Sequence, residues 1–158
     1  MKHRSKFLVI IDDTPELGSA IRFAAKRAFN TKGGIVLLNI TQYSDPQQWQ
    51  SVEEIMIQES RDEAEQKLKK WSQIVHDISG ATAEVIIKEG VTSECIIEFL
   101  QEDDQIRFLV LAAAEGEEPG PLVSLLAGKK SGVLPIPVVV IPSGITNDSI
   151  DDLASRAD

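Results

Sequence analysis

Residues Phe108 to Ile141 read FLVLAAAEGEEPGPLVSLLAGKKSGVLPIPVVVI, and the fold turns on this stretch. The apolar run Phe108–Ala113 is too short for an independent helix and suits a strand buried on both faces. A loop rich in Gly, Glu and Pro follows, from Ala114 to Gly120. Pro121 takes the favoured first-turn position of a short helix carrying Leu122, Leu125 and Leu126, with Gly128 and Gly132 as end signals. Pro135-Ile136-Pro137 is a rigid bend, and Val138–Ile141 is a second buried strand. Strand, loop, helix, strand is one βαβ unit. In open parallel sheets ligands sit where strand C-termini meet such loops, so the loop after Phe108–Ala113 is expected to face any small-molecule site.

The rest of the chain repeats this alternation. Phe7–Ile11 is a continuous apolar strand ending in Asp12-Asp13-Thr14-Pro15-Glu16, a turn whose acids can cap the next helix. That helix carries Leu17, Ala20, Ile21, Ala24 and Ala28 at helical spacing, and Lys32-Gly33-Gly34 closes it. Ile35–Ile40 is the second strand. Thr41 to Gln50 is a polar loop containing Pro46. A long helix follows, Ser51 to Ile78, its stripe formed by Val52, Ile55, Met56, Ala64, Leu68, Trp71, Ile74, Val75 and Ile78. Ala83–Lys88 is the third strand and Gly90 ends it. Thr92 or Ser93 is expected to cap a helix with Cys95, Ile96, Phe99 and Leu100, which Asp103-Asp104 ends. After the last strand, Pro142-Ser143-Gly144 breaks the chain direction, and Asn147-Asp148-Ser149 is expected to cap a short helix, Ile150–Ala154. Strands alternating with helices imply a parallel sheet covered on both faces by right-handed crossovers. The expected division is one α/β domain over residues 1–145 and a helical tail over residues 146–158, with no internal repeat or linker.

Composition narrows the function. The chain has 158 residues, is 42% hydrophobic and carries a formal net charge of −9, the profile of a single soluble domain. That charge argues against nucleic acid and against an anionic membrane surface, both of which need clustered Lys and Arg. No apolar stretch approaches the ~18 residues of a spanning helix. The apolar run after the basic N-terminus stops at Asp12, too short for a signal peptide. The single cysteine, Cys95, precludes an internal disulfide. A cytoplasmic location is expected.

Asp12, at the C-terminal end of the first strand, has two readings. It can cap the helix, or it can accept a hydrogen bond from a sugar hydroxyl or a base amino group. The loop from Ala114 to Gly120 could offer backbone N–H groups to a phosphate, but Glu115, Glu117 and Glu118 repel polyphosphate and Pro121 removes one donor. Lys129 and Lys130 lack the surrounding pattern of a phosphate-binding loop and suit the C-terminal end of a helix dipole. His3 and His76 have no partners at metal-ligand spacing, so no metal is expected. Ser124 lacks a nucleophile elbow, Cys95 has no local His, and no catalytic constellation emerges. Val138, Val139, Val140 and Ile141 form a strand near the chain end. At a sheet edge their N–H and C=O groups would invite a second copy, unless the tail helix covers them.

Taken together, Val9-Ile10-Ile11-Asp12-Asp13-Thr14-Pro15-Glu16, Leu37-Leu38-Asn39-Ile40, Val85-Ile86-Ile87-Lys88-Glu89-Gly90, Leu109-Val110-Leu111 and Pro135-Ile136-Pro137-Val138-Val139-Val140 resemble the universal stress protein family. The resemblance covers roughly residues 6 to 142. It is closest in style to short single-domain bacterial members, through Gly120-Pro121-Leu122-Val123 and Leu126-Ala127-Gly128. It implies a Rossmann-like, doubly wound sheet of five parallel strands in the order 3-2-1-4-5, of the adenine nucleotide alpha hydrolase type. It also implies a cytoplasmic homodimer, often paired through the last strands, and a role in stress survival without a defined reaction. Members that bind ATP carry Gly, two residues, Gly, nine residues, Gly, then Ser or Thr after the fourth strand. Here Ala113 stands at the first of these positions and Gly116 at the second. Gly128 comes two residues late and is followed by Lys129. Asp12 matches the adenosine-side acid, with Asp13 beside it, and Gly116, Gly120 and Gly128 are the candidates for the phosphate side. The resemblance therefore implies a stress-response module with a degenerate ATP loop, or alternatively an ATP-binding member with slow hydrolysis.

Overall fold

The computed structural model describes residues 5–41 and 50–155, and for residues 50–57 the backbone alone. His3, the polar loop expected after Thr41, and the side chains of Val52, Ile55 and Met56 lie outside the described residues. The elements run β1 (Lys6–Ile11), α1 (Leu17–Thr31), β2 (Gly34–Thr41), α2 (Gln50–Ser79), β3 (Glu84–Glu89), α3 (Thr92–Glu102), β4 (Ile106–Ala112), α4 (Pro121–Val123), β5 (Val138–Ile141) and α5 (Asn147–Ser155). A π-helical turn, Ser124–Lys129, continues α4. The five strands pair in parallel in the order β3-β2-β1-β4-β5, the topology that the family resemblance implies.

Apolar runs without alternation place side chains on both faces of the sheet, so each face needs a helical cover. On one face Phe7, Val9, Ile11, Ile35, Leu37 and Val110 meet α1, α2 and α5. On the other, Leu8, Ile10, Val36, Leu38, Leu109 and Leu111 meet Ile96, Phe99 and Leu100 of α3 and Leu126 of the π turn. Alanines at 20, 24, 25 and 28 line the buried face of α1, and such small side chains let a helix lie close to a sheet. Phe7 and Phe108 stack at 5.3 Å between β1 and β4. At the opposite end from the strand C-termini, the Lys6 ammonium bridges Glu84 and Asp103, both at 2.9 Å.

Local details depart from the sequence reading in several places. Asp12 and Asp13 do not cap α1: its N-cap is Glu16, which makes no side-chain cap bond. Thr92 and Ser93 do not cap α3, because Thr92 is already its first residue and Val91 stands at the N-cap without a side-chain bond. The cap of α5 is Thr146, whose Oγ1 accepts from the Ser149 N–H at 3.1 Å. Gly128 lies inside the π turn rather than ending the helix. The wider turn, closed by the Lys130 N–H donating to the Leu125 carbonyl at 2.7 Å, sets Leu122, Val123, Leu125 and Leu126 against one core.

Helix α5 packs along α1. Ile150 enters the core. Arg22 forms a two-pronged pair with Asp151, both contacts at 2.7 Å. Asn30 donates to the Ala154 carbonyl at 3.1 Å. The tail helix thus extends the helical layer beside α1 instead of capping the sheet margin, and no described element pairs with the outer side of β5.

Candidate functional site

The C-terminal ends of β1, β2 and β4 form the edge where a doubly wound sheet takes its ligands. Asp12 follows β1 directly and is half-buried. Its Oδ1 accepts from the Thr14 N–H at 3.1 Å and from the Thr14 hydroxyl at 2.6 Å. This Asx turn fixes the β1–α1 loop and holds the carboxylate in place. Oδ2 accepts no bond among the described residues.

Two spaces flank Asp12. The first lies towards β4 and α4, lined by Thr14, Glu16, Ala112, Pro119, Gly120 and Pro121 among others, and its volume is about 20 Å³. That is room for a single water. Gly120 adopts φ 97°, a conformation that favours glycine. A Cβ there would stand 3.6 Å from Oε1 of Glu16, so a carboxylate already occupies the approach to the α4 N-terminus. The loop beyond is folded back on itself, the Ala114 N–H donating to the Pro119 carbonyl at 3.0 Å. Its Glu115, Gly116, Glu117 and Glu118 are all exposed.

The second space is an open cleft of about 300 Å³ between the ends of β1 and β2 and the helix α2, at the lower end of the sizes that hold small ligands. Asp12, Asp13, Asn39, Thr41, Ser60, Glu63 and Lys67 supply polar groups, and Ile11, Ile40 and Ala64 supply apolar wall. Lys67 reaches across from α2 to Asp13, with Nζ 2.8 Å from a carboxylate oxygen. The cleft's single lysine is therefore engaged, and Asp12 and Glu63 leave the space acidic.

The structure brings Asp12 and Gly120 together around the small space, and Asp12 and Asp13 around the large one. It does not bring in the rest of the expected set. The Ala113 N–H donates to the Ile141 carbonyl at 2.8 Å, extending the β4–β5 ladder. Gly116 lies in the exposed acidic turn, and exposed Gly128 lies within the π turn; neither lines the two spaces around Asp12. Glu16, Asn39, Glu63 and Lys67 line these spaces and were not among the expected site residues. Asn39 carried a signal, as the one polar residue in the run Ile35–Ile40; Glu63 and Lys67 looked like any solvated helix face.

Cys95 is buried, and burial pushes its thiol up, with the Glu98 and Glu94 charges adding to the shift. No group of three or more His, Cys, Asp or Glu side chains among the described residues is arranged to hold a metal ion. No helix of the described residues is long and apolar enough to cross a membrane. Val138 and Val139 of β5 are half-buried, Ile141 is buried and Val140 is 36% exposed.

A search of curated proteins finds no match. Among solved structures, the universal stress protein UspA from Lactobacillus plantarum superimposes with a TM-score of 0.73 at 18% identity, covering 89% of this chain and 99% of its own. A universal stress protein family protein from Arabidopsis thaliana with AMP bound gives 0.61 at 17% identity, covering 87% and 91%. The universal stress protein from Archaeoglobus fulgidus in complex with dAMP gives 0.59 at 17% identity, covering 89% and 99%. At these identities the structures establish the fold. The sequence itself matches the Universal stress protein family over residues 3–122, from β1 to the start of α4 and well over half of its length. With sheet order, strand-end acid and sequence match in agreement, this chain belongs to the universal stress protein family.

Proposed function

We propose that this chain is a homodimeric stress-response module without a reaction of its own, and that it takes an adenine nucleoside or its monophosphate rather than Mg-ATP. The observation that carries this reading is the asymmetry around Asp12: about 300 Å³ of polar cleft on one side and about 20 Å³ on the other. A nucleoside finds room in the cleft. A triphosphate would extend towards Gly120, where Glu16 stands and Pro121 offers no N–H. Relatives of the same fold that hold AMP and dAMP support the choice of base. The dimer rests on β5, a margin strand with an open hydrogen-bonding side and a partly exposed Val140, the arrangement that pairs with a second copy.

Thermal unfolding with adenosine, AMP and Mg-ATP, on the parent and on Asp12→Ala, tests the ligand. Ligand at a hundredfold above its dissociation constant adds about 2.7 kcal/mol, a rise of several degrees for a chain of this size. Adenosine and AMP are expected to raise Tm in the parent and to lose the effect in Asp12→Ala. A Mg-ATP shift exceeding that of AMP, also lost in Asp12→Ala, would replace this reading with an ATP-binding member, and slow hydrolysis would then be worth measuring.

A further inference from the structure

We infer that Asn39 is the specificity-determining residue of the cleft, pairing through its amide with the edge of the nucleobase; this rests on the nucleoside ligand proposed above. In β2, side chains at 35, 37 and 39 point to the face covered by α1 and α2, because strand side chains alternate. Ile35 and Leu37 are core residues there, and Asn39 continues their row. Its register neighbours are Ile11 on β1 and Ile87 on β3, both belonging to the same apolar cluster. Asn39 is only 6% exposed and is the single buried polar residue among those described. Its side chain makes no hydrogen bond to any described group, and it lines the cleft beside Asp12 and Ala64. Its amide is not among the fully buried side-chain atoms left without a partner, of which Ser72 Oγ is the one found among the described residues; it opens onto the cleft instead, where a ligand can meet both its donor and its acceptor.

The chemistry selects that partner. An asparagine amide presents one acceptor and one donor side by side. Adenine presents its amino group beside a ring nitrogen, so the two edges form a pair of parallel hydrogen bonds. The apolar wall of Ile11, Ile40 and Ala64 suits a flat ring. Asp12 Oδ2, at the rim, suits a sugar hydroxyl. A phosphate has no such fit: Lys67 is held by Asp13, and Glu63 and Asp12 are anionic.

The test uses adenosine and purine riboside, the same nucleoside without the amino group, titrated calorimetrically into the parent, Asn39→Leu and Asn39→Ser. Thermal unfolding of both variants first establishes that they fold. The parent is expected to prefer adenosine by roughly tenfold or more, as sites built to hydrogen-bond a group reject analogues lacking it. Both variants are expected to bring that ratio close to one. If either folded variant keeps the parent's ratio, or the parent binds the two nucleosides equally, Asn39 is not the reader, while the nucleoside ligand stands. If the parent binds neither, the nucleoside ligand itself falls and this inference with it.

Discussion

At the scale of single residues, position in the fold decides what a side chain type means. Asp12 was legible in the sequence as an acid at a strand end, yet its hold on Thr14 was not, because an Asx turn and a helix cap share the same residue types. Two glycines show the same dependence. Gly33 is packed so tightly that a Cβ would collide with the Ser5 carbonyl oxygen, whose partner is the Gly34 N–H at 3.0 Å. Gly33→Ala must push backbone against backbone and is expected to destabilise by about 1–3 kcal/mol. Gly18, in the first turn of α1, has only Trp71 nearby, 3.9 Å from the same virtual atom. Gly18→Ala is expected to stabilise by about 0.5–1 kcal/mol through helix propensity. Denaturant unfolding of the pair should move the midpoint in opposite directions; a shared direction would show that the Ser5 contact yields. Cys95 makes a third case. Its raised, buried thiol should label slowly with a maleimide in the native protein and quickly in urea, and fast native labelling would show that α3 opens readily.

Elements were more legible than caps. Runs of Ile, Leu and Val marked all five strands to within about two residues: β1, β2 and β4 are buried on both faces and leave no alternation to misread, and the margin strands β3 and β5, though more exposed, keep unbroken apolar runs of their own. Helix starts were misplaced wherever backbone geometry, not a side chain, makes the cap, as at Val91 before α3. The π turn left no mark in the sequence that periodicity could find. The docking of α5 was also hidden, because nothing local links Asp151 to Arg22 across the chain. That pair gives α5 a pH dependence. The hydrogen bond from Arg22 holds the Asp151 carboxyl below its usual range against the opposing effect of burial. A depressed carboxylate contributes stability above its unfolded value, near 3.9, and loses it as pH falls through the folded value. Asp151→Asn is therefore expected to cost roughly 1 kcal/mol at neutral pH, a fall of about 2–4 °C in Tm. The gap between parent and variant should narrow as pH falls below the ordinary carboxylate range and close once Asp151 is protonated in the folded state as well. A gap that persists unchanged in acid would assign the loss to packing rather than charge. Ile150→Ala, which empties a fully buried position, is expected to cost about 2–5 kcal/mol at any pH.

For the whole molecule, alternating elements specified a parallel sheet with two helical layers, but strand order came only from the family resemblance. Periodicity carries no information about which strand lies beside which. The candidate site was legible in part: an acid at the strand end could be seen, but the cleft is assembled from β1, β2 and α2, and no spacing rule joins Asp12 to Asn39 and Lys67. The sheet order has a consequence for assembly. It leaves β3 and β5 as the two margins, and their chemistry differs. β3 carries Glu84, Lys88 and Glu89, and charges along a margin discourage pairing. β5 is Val138-Val139-Val140-Ile141 without a charge, and α5 turns away from it to lie on α1. The proposed dimer therefore forms at β5. Val140→Lys is expected to convert a micromolar dimer to monomer in sedimentation equilibrium. The folded monomer should survive, because Val140 is 36% exposed and a lysine there can keep its charge in water. A parent that is monomeric at micromolar concentration removes the dimer altogether. A dimer that persists in a folded Val140→Lys moves the interface to another surface and leaves the uncharged margin of β5 without a partner.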